Sequence, residues 1–300
     1  MAASYQTLTT PDGRQLEYLD TGSAGSAGTL LFHVGTPNCA AEFSLIAEPA
    51  AELGLRLISY SRPGYGQSSE QLGRSVADTV ADAATVLDHL GVSDFITLGW
   101  SGGGPHALAC AALLPGRCRA AATLAGAGPY GVPGLDFLAG MDEANVEEFG
   151  TALAGFDELD GYLRGLQDEL AEVTGDSVVT GLAGLLSEVD KQALTGQLAD
   201  EMAAVMRRTM AAGIAGWRDD DLAFVQDWGF RLEEITVPVS VWQGAQDRMV
   251  PFAHGQWLVD AIPGARAHLY PDEGHISLVC QAGSILTDLL ERADSAERTG

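Results

Sequence analysis

Basic residues are scarce in this sequence, which has 16 Lys and Arg against 41 Asp and Glu in 300 residues. The formal net charge is −25, and such an acidic surface repels phosphate backbones and anionic lipid headgroups. Apolar runs of about eighteen residues, the length that a membrane-spanning helix needs, are also missing. Residues 1–20 lack the basic start and the apolar stretch of a signal peptide. We therefore expect a cytoplasmic protein with no nucleic-acid partner and no membrane role.

Cysteine and metal-binding patterns are equally limited. The four cysteines form no C-x-x-C pair, and the six histidines form neither an H-E-x-x-H nor an H-x-H pattern. The sequence also lacks a phosphate-cradling glycine loop. We expect reduced, mostly buried thiols, no metal ion and no dissociable cofactor.

Hydrophobic residues make up 46% of the chain, which is enough to bury a large core. Two short strands are predicted near the N-terminus, at residues 5–9 and 15–19. Strand-like apolar runs then alternate with helical stripes over residues 29–125 and again over residues 237–292. Helices are predicted over residues 40–54, in a second stretch that Gly91 ends, and from about residue 276 to 292. Alternation of this kind indicates parallel strands that are joined by right-handed helical crossovers. The predicted fold class is therefore α/β, with a mostly parallel, doubly wound sheet.

The alternation stops in the middle hundred residues, where helical stripes occur without a convincing strand. One such stripe is Leu159–Val173. We therefore divide the chain into a core, residues 1–130 and 231–300, and an all-helical insertion, residues 131–230. The insertion carries twenty Asp and Glu against five Lys and Arg. We expect most of these carboxylates, Glu148 among them, to lie on solvated helix faces.

The segment Gly99–Gly103 reads Gly-Trp-Ser-Gly-Gly and lies between a predicted strand and a predicted helix. At such a tight strand-to-helix turn the serine is strained and exposed, and neighbouring glycines leave room for it. The helix N-terminus adds N–H groups that favour a developing oxyanion. This context predicts that Ser101 is a nucleophile. The alternative is a glycine-rich turn with an idle serine.

A serine nucleophile needs a base, and the base needs an orienting acid. Asp247 follows the next-to-last predicted strand, and His275 follows the last one. Because the carboxyl ends of parallel strands share one edge of a sheet, both residues can meet Ser101 there. The chain order Ser, Asp, His is that of a hydrolytic triad. We therefore predict His275 as the base and Asp247 as the orienting acid.

Neighbouring residues offer alternatives for these roles. Asp272 and Glu273 are closer to the predicted base in sequence, but they share its loop and are poorly placed to face its ring. We expect them to form a solvated turn. His106 lies on the predicted helix after the serine, and we expect it to be a packing residue.

An oxyanion hole needs a second N–H donor beside that of Gly102, the residue after the predicted nucleophile. The loop after the third predicted strand reads Gly35-Thr36-Pro37, and Pro37 has no N–H. The backbone N–H of Thr36 is therefore the candidate. The alternative is that this loop only turns the chain and exposes Thr36.

Together these features resemble a capped serine hydrolase of the α/β-hydrolase fold over nearly the whole chain. The resemblance lies in Gly99–Gly103, the Asp247 loop and the His275 loop. A fourth motif, Ser61–Ser68, reads Ser-Arg-Pro-Gly-Tyr-Gly-Gln-Ser and is similar to the family's Arg-Pro-Gly-x-Gly-x-Ser turn. The resemblance implies a mainly structural role for that turn, with Arg62 joining loops.

One position departs from the family pattern. Relatives commonly carry His-Gly before the oxyanion residue, whereas this chain has Val34 there and His33 one place earlier. The loop also lacks the His-Gly-Gly-Pro-Gly run of proline iminopeptidases. This difference counts against a peptidase.

The resemblance implies hydrolysis of a small-molecule carboxylic ester or lactone through an acyl-enzyme on Ser101. The same triad also serves amide, peptide and carbon–carbon bond hydrolases, and a ligand receptor with slow turnover is an alternative of another class. By the same resemblance the insertion is a cap that supplies much of the substrate pocket, although packing is the commoner role for its apolar side chains. The candidates for substrate contact are Trp100, Phe137, Met141, Tyr162 and Trp217.

Overall fold

The fold is built on one eight-stranded sheet. The computed structural model describes residues 4–22, 27–181, 184–194 and 196–297. The strands, in chain order, are β1 (Tyr5–Thr9), β2 (Gln15–Asp20), β3 (Gly28–His33), β4 (Leu55–Tyr60), β5 (Phe95–Trp100), β6 (Cys118–Leu124), β7 (Val239–Gly244) and β8 (Arg266–Tyr270).

The order of strands across the sheet is β1-β2-β4-β3-β5-β6-β7-β8. β1 pairs antiparallel with β2, and β2 pairs antiparallel with β4. All other neighbours pair in parallel. This topology confirms the predicted mostly parallel α/β sheet, because parallel neighbours need crossover connections.

Helices follow most strands and form the layers on the two faces of the sheet. Two short 3₁₀ helices, Leu232–Glu234 and Ser277–Gln281, occur in the second half of the chain. The α-helices are α1 (Ser44–Glu52), α2 (Thr79–His89), α3 (Gly103–Leu113), α4 (Glu143–Ala154), α5 (Phe156–Ala171), α6 (Gly175–Gly181), α7 (Glu188–Ala193), α8 (Gly196–Ala211), α9 (Ala215–Phe224), α10 (Phe252–Ala261) and α11 (Ala282–Glu297).

Two helices begin later than predicted, and one helix ends where it was predicted to end. The helix predicted over residues 40–54 begins only at Ser44, because the backbone before it is bound to the loop after β4. The last predicted helix begins with the 3₁₀ turn Ser277–Gln281 before α11. α2 ends as predicted, with Gly91 just beyond its C-terminus at φ +68°.

The central strands of the sheet are buried on both faces. Alternate residues of β3 enter two different apolar clusters, so that Leu30 and Phe32 pack on one face and Leu31 on the other. All six residues of β5 and all six of β7 are buried. Burial on both faces explains the continuous apolar runs of these strands. It also places the loops after the parallel strands at one common edge.

The chain between β6 and β7 is helical. Over residues 131–181, 184–194 and 196–230 the structure contains helices α4–α9 and no strand. These helices pack against the sheet domain: Leu163 of α5 lies in one buried cluster with Tyr65 from the loop after β4. The acidic middle of the sequence is therefore held to the rest of the molecule by apolar contacts as well as by polar ones.

Three of the four cysteines are buried, as the sequence predicted. Cys39, Cys110 and Cys118 are buried, Cys280 is exposed, and all four are free thiols. Burial raises the pKa of Cys110 to about 12, which keeps this thiol protonated. Of the helices in the described ranges, none combines the length and the apolar composition that a bilayer-spanning segment needs.

Candidate active site

Ser101 lies at the turn between β5 and α3. Its φ is +55°, a left-handed conformation that residues other than glycine rarely adopt. A Cβ on Gly99 would overlap the carbonyl oxygen of Gly103, so the turn can close only with glycine there. The Ser101 N–H donates to the carbonyl of Leu124 at 2.9 Å, and the residue is partly exposed. The result is a strained serine at a helix N-terminus, on the carboxyl edge of the sheet.

Asp247 and His275 lie on the loops after β7 and β8, and their side chains are hydrogen-bonded. His275 Nδ1 is 2.8 Å from Asp247 Oδ2, and both side chains are buried. The backbone N–H groups of Met249 and Val250 donate to Asp247 Oδ1 at 2.9 and 2.8 Å. Gln243 Nε2 donates to Oδ2 at 3.1 Å. These donors fix the carboxylate in its position against the imidazole.

The pKa of His275 is raised above the ordinary histidine value. Burial of the imidazole lowers this pKa. The charge and hydrogen bond of Asp247, together with the charge of Asp190, raise it by more than burial lowers it. The ring centroid of Trp100, the residue before Ser101, is 6.1 Å from that of His275. Within the described residues Ser101 Oγ and His275 Nε2 make no direct hydrogen bond. Such bonds are often long without substrate and tighten when it binds.

The loop after β3 contacts the Ser101 turn directly. An ideal Cβ on Gly35 would lie 3.0 Å from the Cβ of Ser101. An ideal Cβ on Gly102 would lie 3.1 Å from the backbone nitrogen of Thr36. The structure therefore brings the two predicted oxyanion residues, Thr36 and Gly102, next to each other beside the serine.

A buried carboxylate from the helical insertion holds the Thr36 side chain. Asp220 of α9 is fully buried and accepts hydrogen bonds from Thr36 Oγ1 at 2.6 Å and Tyr65 OH at 2.9 Å. Arg62 and Arg74 bind the same carboxylate at 2.5 and 2.6 Å. Burial alone would raise the pKa of Asp220, but the two arginines hold it well below the usual range. Asp220 is thus ionised at the centre of a cationic cluster.

Arg62 has the joining role that the sequence resemblance implied. Its guanidinium donates to the carbonyl of Val34 at 2.7 Å and to Thr36 Oγ1 at 3.2 Å, in addition to binding Asp220. Val34 stands where the family usually has histidine, and it takes part in this cluster through its backbone. The turn after β4, the loop after β3 and helix α9 are therefore connected through one side chain.

The residues considered as alternatives lie in different surroundings. Asp272 is exposed. Glu273 accepts a hydrogen bond from Ser277 Oγ at 2.6 Å and is only partly exposed, so the expected solvated turn is wrong for this residue. His106 is buried with Nδ1 at 3.0 Å from Thr79 Oγ1, and burial lowers its pKa to about 4. It is buried as expected of a packing residue, and its Nε2 lies 3.6 Å from Asp220 Oδ1.

The predicted substrate-contact residues are not gathered in one place. Trp100 lies beside the imidazole of the site. Phe137 and Met141 belong to a small buried cluster that includes the loop after β7. Tyr162 and Trp217 pack together with residues of α5 and α8 inside the insertion. A substrate role for these five residues stays a prediction.

Most carboxylates of the insertion are exposed, as expected from the sequence, but Glu148 is not. Glu148 accepts a hydrogen bond from Trp217 Nε1 at 2.8 Å and interacts with the buried Asp221. Burial raises the pKa of both carboxyl groups. Asp190 and Asp220 are buried because they bind loops of the sheet domain, and neither was predicted as a functional residue. A helical period identifies an acidic face but not a distant partner.

The serine at a strand-to-helix turn, the buried Asp–His pair and the parallel sheet define the α/β-hydrolase class. Residues 28–279 match the family model described as alpha/beta hydrolase fold. The chain belongs to this family, and the resemblance seen in the sequence is confirmed.

Relatives with assigned names carry several activities. The non-heme haloperoxidase of Rhodococcus erythropolis is 28% identical, over 96% of this chain and 99% of that protein. The bifunctional esterase/perhydrolase of Acinetobacter calcoaceticus is 26% identical, over 94% and 97%. A 2-hydroxy-6-oxononadienedioate/2-hydroxy-6-oxononatrienedioate hydrolase of Cupriavidus pinatubonensis is 26% identical, over 85% and 82%.

Solved structures with the same fold cover almost the entire chain. The alpha/beta hydrolase fold protein from Chitinophaga pinensis has a TM-score of 0.70 and 22% identity, with 98% of each chain covered. The enol-lactonase from Burkholderia xenovorans LB400 has a TM-score of 0.69 and 20% identity, with 95% of this chain and 100% of that one covered. At these identities the likeness concerns the fold.

Proposed function

We propose that this protein is a serine hydrolase that cleaves a carboxylic ester or a lactone through a covalent acyl-enzyme. The observation that carries the proposal is the hydrogen-bonded Asp247–His275 pair at the same sheet edge as the strained Ser101. A relative named as an esterase and a structural neighbour named as an enol-lactonase support this class of bond.

In this mechanism Ser101 is the nucleophile, His275 the base and Asp247 the acid that orients the base. His275 Nε2 takes the proton from Ser101 Oγ as that oxygen attacks the carbonyl carbon, and Asp247 stabilises the resulting imidazolium. The imidazolium then protonates the leaving alcohol. In the second half of the cycle His275 removes a proton from water, whose oxygen attacks the acyl carbon. The imidazolium then returns this proton to Ser101 Oγ as the C–Oγ bond breaks and the carboxylic acid is released.

The backbone N–H groups of Thr36 and Gly102 stabilise the negative oxygen of both tetrahedral intermediates. Thr36 suits this role because its hydroxyl, not its N–H, is bound by Asp220 and Arg62. Among the described residues the Thr36 N–H donates to no protein acceptor, which leaves it for the substrate.

We further propose that residues 131–230 form a cap on a core of residues 1–130 and 231–300. Helices α7 and α9 of this segment reach two loops at the sheet edge through Asp190 and Asp220. A segment in this position restricts entry to the serine. Substrate selection is therefore assigned to the cap.

An ester or lactone is favoured over the carbon–carbon substrates of some relatives. The Cupriavidus relative acts, according to its name, on dicarboxylates. A dianionic substrate requires cations that can bind it. In this chain Arg62 and Arg74 are buried and both bind Asp220, and the insertion carries twenty Asp and Glu against five Lys and Arg. A neutral substrate fits these surroundings better.

A fluorophosphonate probe and a series of p-nitrophenyl acyl esters and simple lactones test the proposal. The wild-type protein should take up one probe equivalent on Ser101 and hydrolyse the esters. Ser101→Ala should abolish labelling and lower turnover by on the order of 10⁴- to 10⁶-fold. His275→Ala should be comparably damaging, and Asp247→Asn should cost a similar amount or somewhat less. Ser284→Ala, at an exposed position of α11, is the matched control.

Three results would contradict parts of this proposal. Full activity of Ser101→Ala would remove the nucleophile. Labelling without turnover of any ester or lactone would indicate a receptor with a retained triad. A larger loss in Asp272→Asn or Glu273→Gln than in Asp247→Asn would reassign the orienting acid.

A further inference from the structure

Asp190 of α7 is a buried carboxylate that takes no part in the mechanism above. Its Oδ2 accepts hydrogen bonds from the backbone N–H of His275 at 3.0 Å and from Ser187 Oγ at 2.8 Å. Its Oδ1 accepts from the N–H groups of Ile276 and Ser277 at 2.7 and 2.9 Å. One side chain of the insertion thus binds three consecutive N–H groups, beginning with that of the proposed base.

The loop and the carboxylate fit closely. A Cβ on Gly274 would overlap the carboxylate of Asp190. Leu186 and Leu194, before and after α7, lie in the same buried apolar cluster as Ile276. Asp190 itself is 0% exposed. Water is therefore excluded from the Asp190 carboxylate, and the three N–H groups of residues 275–277 have this carboxylate as their acceptor.

Helix capping alone does not account for this arrangement. Ser187 is the N-cap of α7, and its Oγ accepts from the backbone N–H of Asp190 at 3.3 Å. In the usual capping box the acidic side chain turns back to the N–H of the cap residue. Here it binds a loop that follows 85 residues later in the chain. The side chain connects the insertion to the base rather than completing its own helix.

Two carboxylates from separate elements bind His275. Asp247, in the loop after β7, binds the imidazole, whereas Asp190 of α7 binds the backbone N–H. Glu273, in the same loop as His275, is bound by Ser277 Oγ. The charges of Asp247 and Asp190 both favour the protonated imidazole and raise its pKa against the effect of burial.

We propose that Asp190 is a positioning residue whose carboxylate fixes the backbone that carries His275 and makes the docking of α7 a condition for proton transfer from Ser101. This inference rests on the proposed function of Ser101 and His275. A displaced α7 releases three backbone N–H groups of the loop at once, so the insertion controls the base as well as the entrance. A misplacement of about 1 Å in such a group can cost on the order of 10²-fold in rate.

Asp190→Asn tests the proposal with little change of shape. Asparagine offers one accepting oxygen instead of two, so part of the N–H set loses its partner. Glu188→Gln is the matched control, because it removes a negative charge from the exposed side of the same helix. For p-nitrophenyl butyrate we expect kcat to fall about 10- to 100-fold in Asp190→Asn, with KM within about twofold and no change in the control.

Two further measurements do not need turnover and so separate this inference from the proposed function. Amide hydrogen exchange of residues 274–278 should be faster in Asp190→Asn than in the wild-type protein and in Glu188→Gln. In a Ser101→Ala background, an NMR titration should give His275 a lower pKa when Asp190→Asn is added, because one of its two carboxylate neighbours becomes neutral. If the wild-type protein hydrolyses neither an ester nor a lactone, the proposed function fails while both measurements still report on Asp190.

Unchanged loop exchange together with an unchanged His275 titration in folded Asp190→Asn would overturn the inference. If Asp190→Asn does not fold, Ser187→Ala takes its place, because it keeps the carboxylate and removes the hydroxyl that holds Oδ2. Faster exchange of residues 274–278 in that variant would support the proposal. Exchange equal to that of Glu188→Gln would overturn it.

Discussion

Two buried carboxylates of the helical insertion, Asp190 and Asp220, bind two loops of the candidate site and differ in their partners. Asp190 accepts hydrogen bonds from backbone N–H groups and one hydroxyl. Asp220 is bound by the guanidinium groups of Arg62 and Arg74 and holds the side chain of Thr36. The donors that bind Asp190 are uncharged, whereas Asp220 is bound by two cations.

This difference matches the charges that the proposed reaction develops. Asp190 adds negative charge beside the base, where an imidazolium forms. The two arginines around Asp220 leave positive charge beside the Thr36 loop, where the oxyanion forms. The raised pKa of the neighbouring Asp221 favours its neutral form and so preserves that balance. The insertion is therefore expected to support the base and the oxyanion loop by opposite electrostatics.

The largest effect in this comparison is expected on stability. Asp220→Ala leaves two buried guanidinium groups without their carboxylate and should cost about 3–5 kcal/mol in the free energy of unfolding. Asp190→Ala opens space in which water can reach the N–H groups, and should cost about 1–3 kcal/mol.

Because the folded-state pKa of Asp220 is lowered, its contribution to the free energy of unfolding is present above the ordinary carboxyl pKa and is lost as pH falls through the lowered value. Urea denaturation measures both losses, and equal values would refute the distinction.

A smaller effect is expected on catalysis when the Asp220 cluster is disconnected from the oxyanion loop. Thr36→Val removes the hydroxyl that binds Asp220 and Arg62 but keeps the backbone N–H. We expect kcat to fall about tenfold with KM nearly unchanged, because the N–H is aligned for the transition state more than for the bound ester. Thr287→Val, at an exposed position of α11, is the control. A raised KM with an unchanged kcat would show that Thr36 contacts the substrate instead.

The smallest effect is expected for Glu148 and Asp221, the carboxyl pair beside the Asp220 cluster, and it concerns how the free energy of unfolding depends on pH. Burial and the charge of Glu148 raise the pKa of Asp221, so the folded state holds this proton more tightly than the unfolded state. The free energy of unfolding should therefore fall as pH rises from the ordinary carboxyl pKa to the raised one. Asp221→Asn should flatten this decline, and Glu147→Gln, at an exposed neighbouring position, should not. Parallel curves for the wild-type protein and Asp221→Asn, measured by urea denaturation from pH 5 to 8, would contradict this assignment.

The sheet and the candidate triad could be predicted because their signals are local. Continuous apolar runs identify the buried strands β5 and β7. Ser101 follows β5 directly, and Asp247 and His275 lie in the short loops after β7 and β8. Proximity at the sheet edge then follows from parallel topology. The oxyanion candidate Thr36 could be chosen by the same reasoning, because Pro37 has no N–H.

The two supporting carboxylates could not be predicted, because their partners are distant in sequence. Asp220 binds Thr36 across 184 positions, and Asp190 binds His275 across 85. Periodicity placed most carboxylates of the insertion on solvated helix faces, which is correct for the majority, but it could not single out Asp190 and Asp220 as buried. One local signal was available in the Ser187-x-x-Asp190 capping pattern, but it indicates a helix start and not a contact with the base.

The central claim is that Ser101 forms an acyl-enzyme, which water activated by His275 then cleaves. Rapid-quench peptide mass spectrometry of the wild-type protein during turnover of a p-nitrophenyl ester tests this claim most directly. We expect the acyl mass on the peptide that contains Ser101, appearing with the first release of nitrophenol and disappearing when the ester is exhausted. An adduct on another residue, or steady turnover with Ser101 unmodified at every time point, would contradict the account.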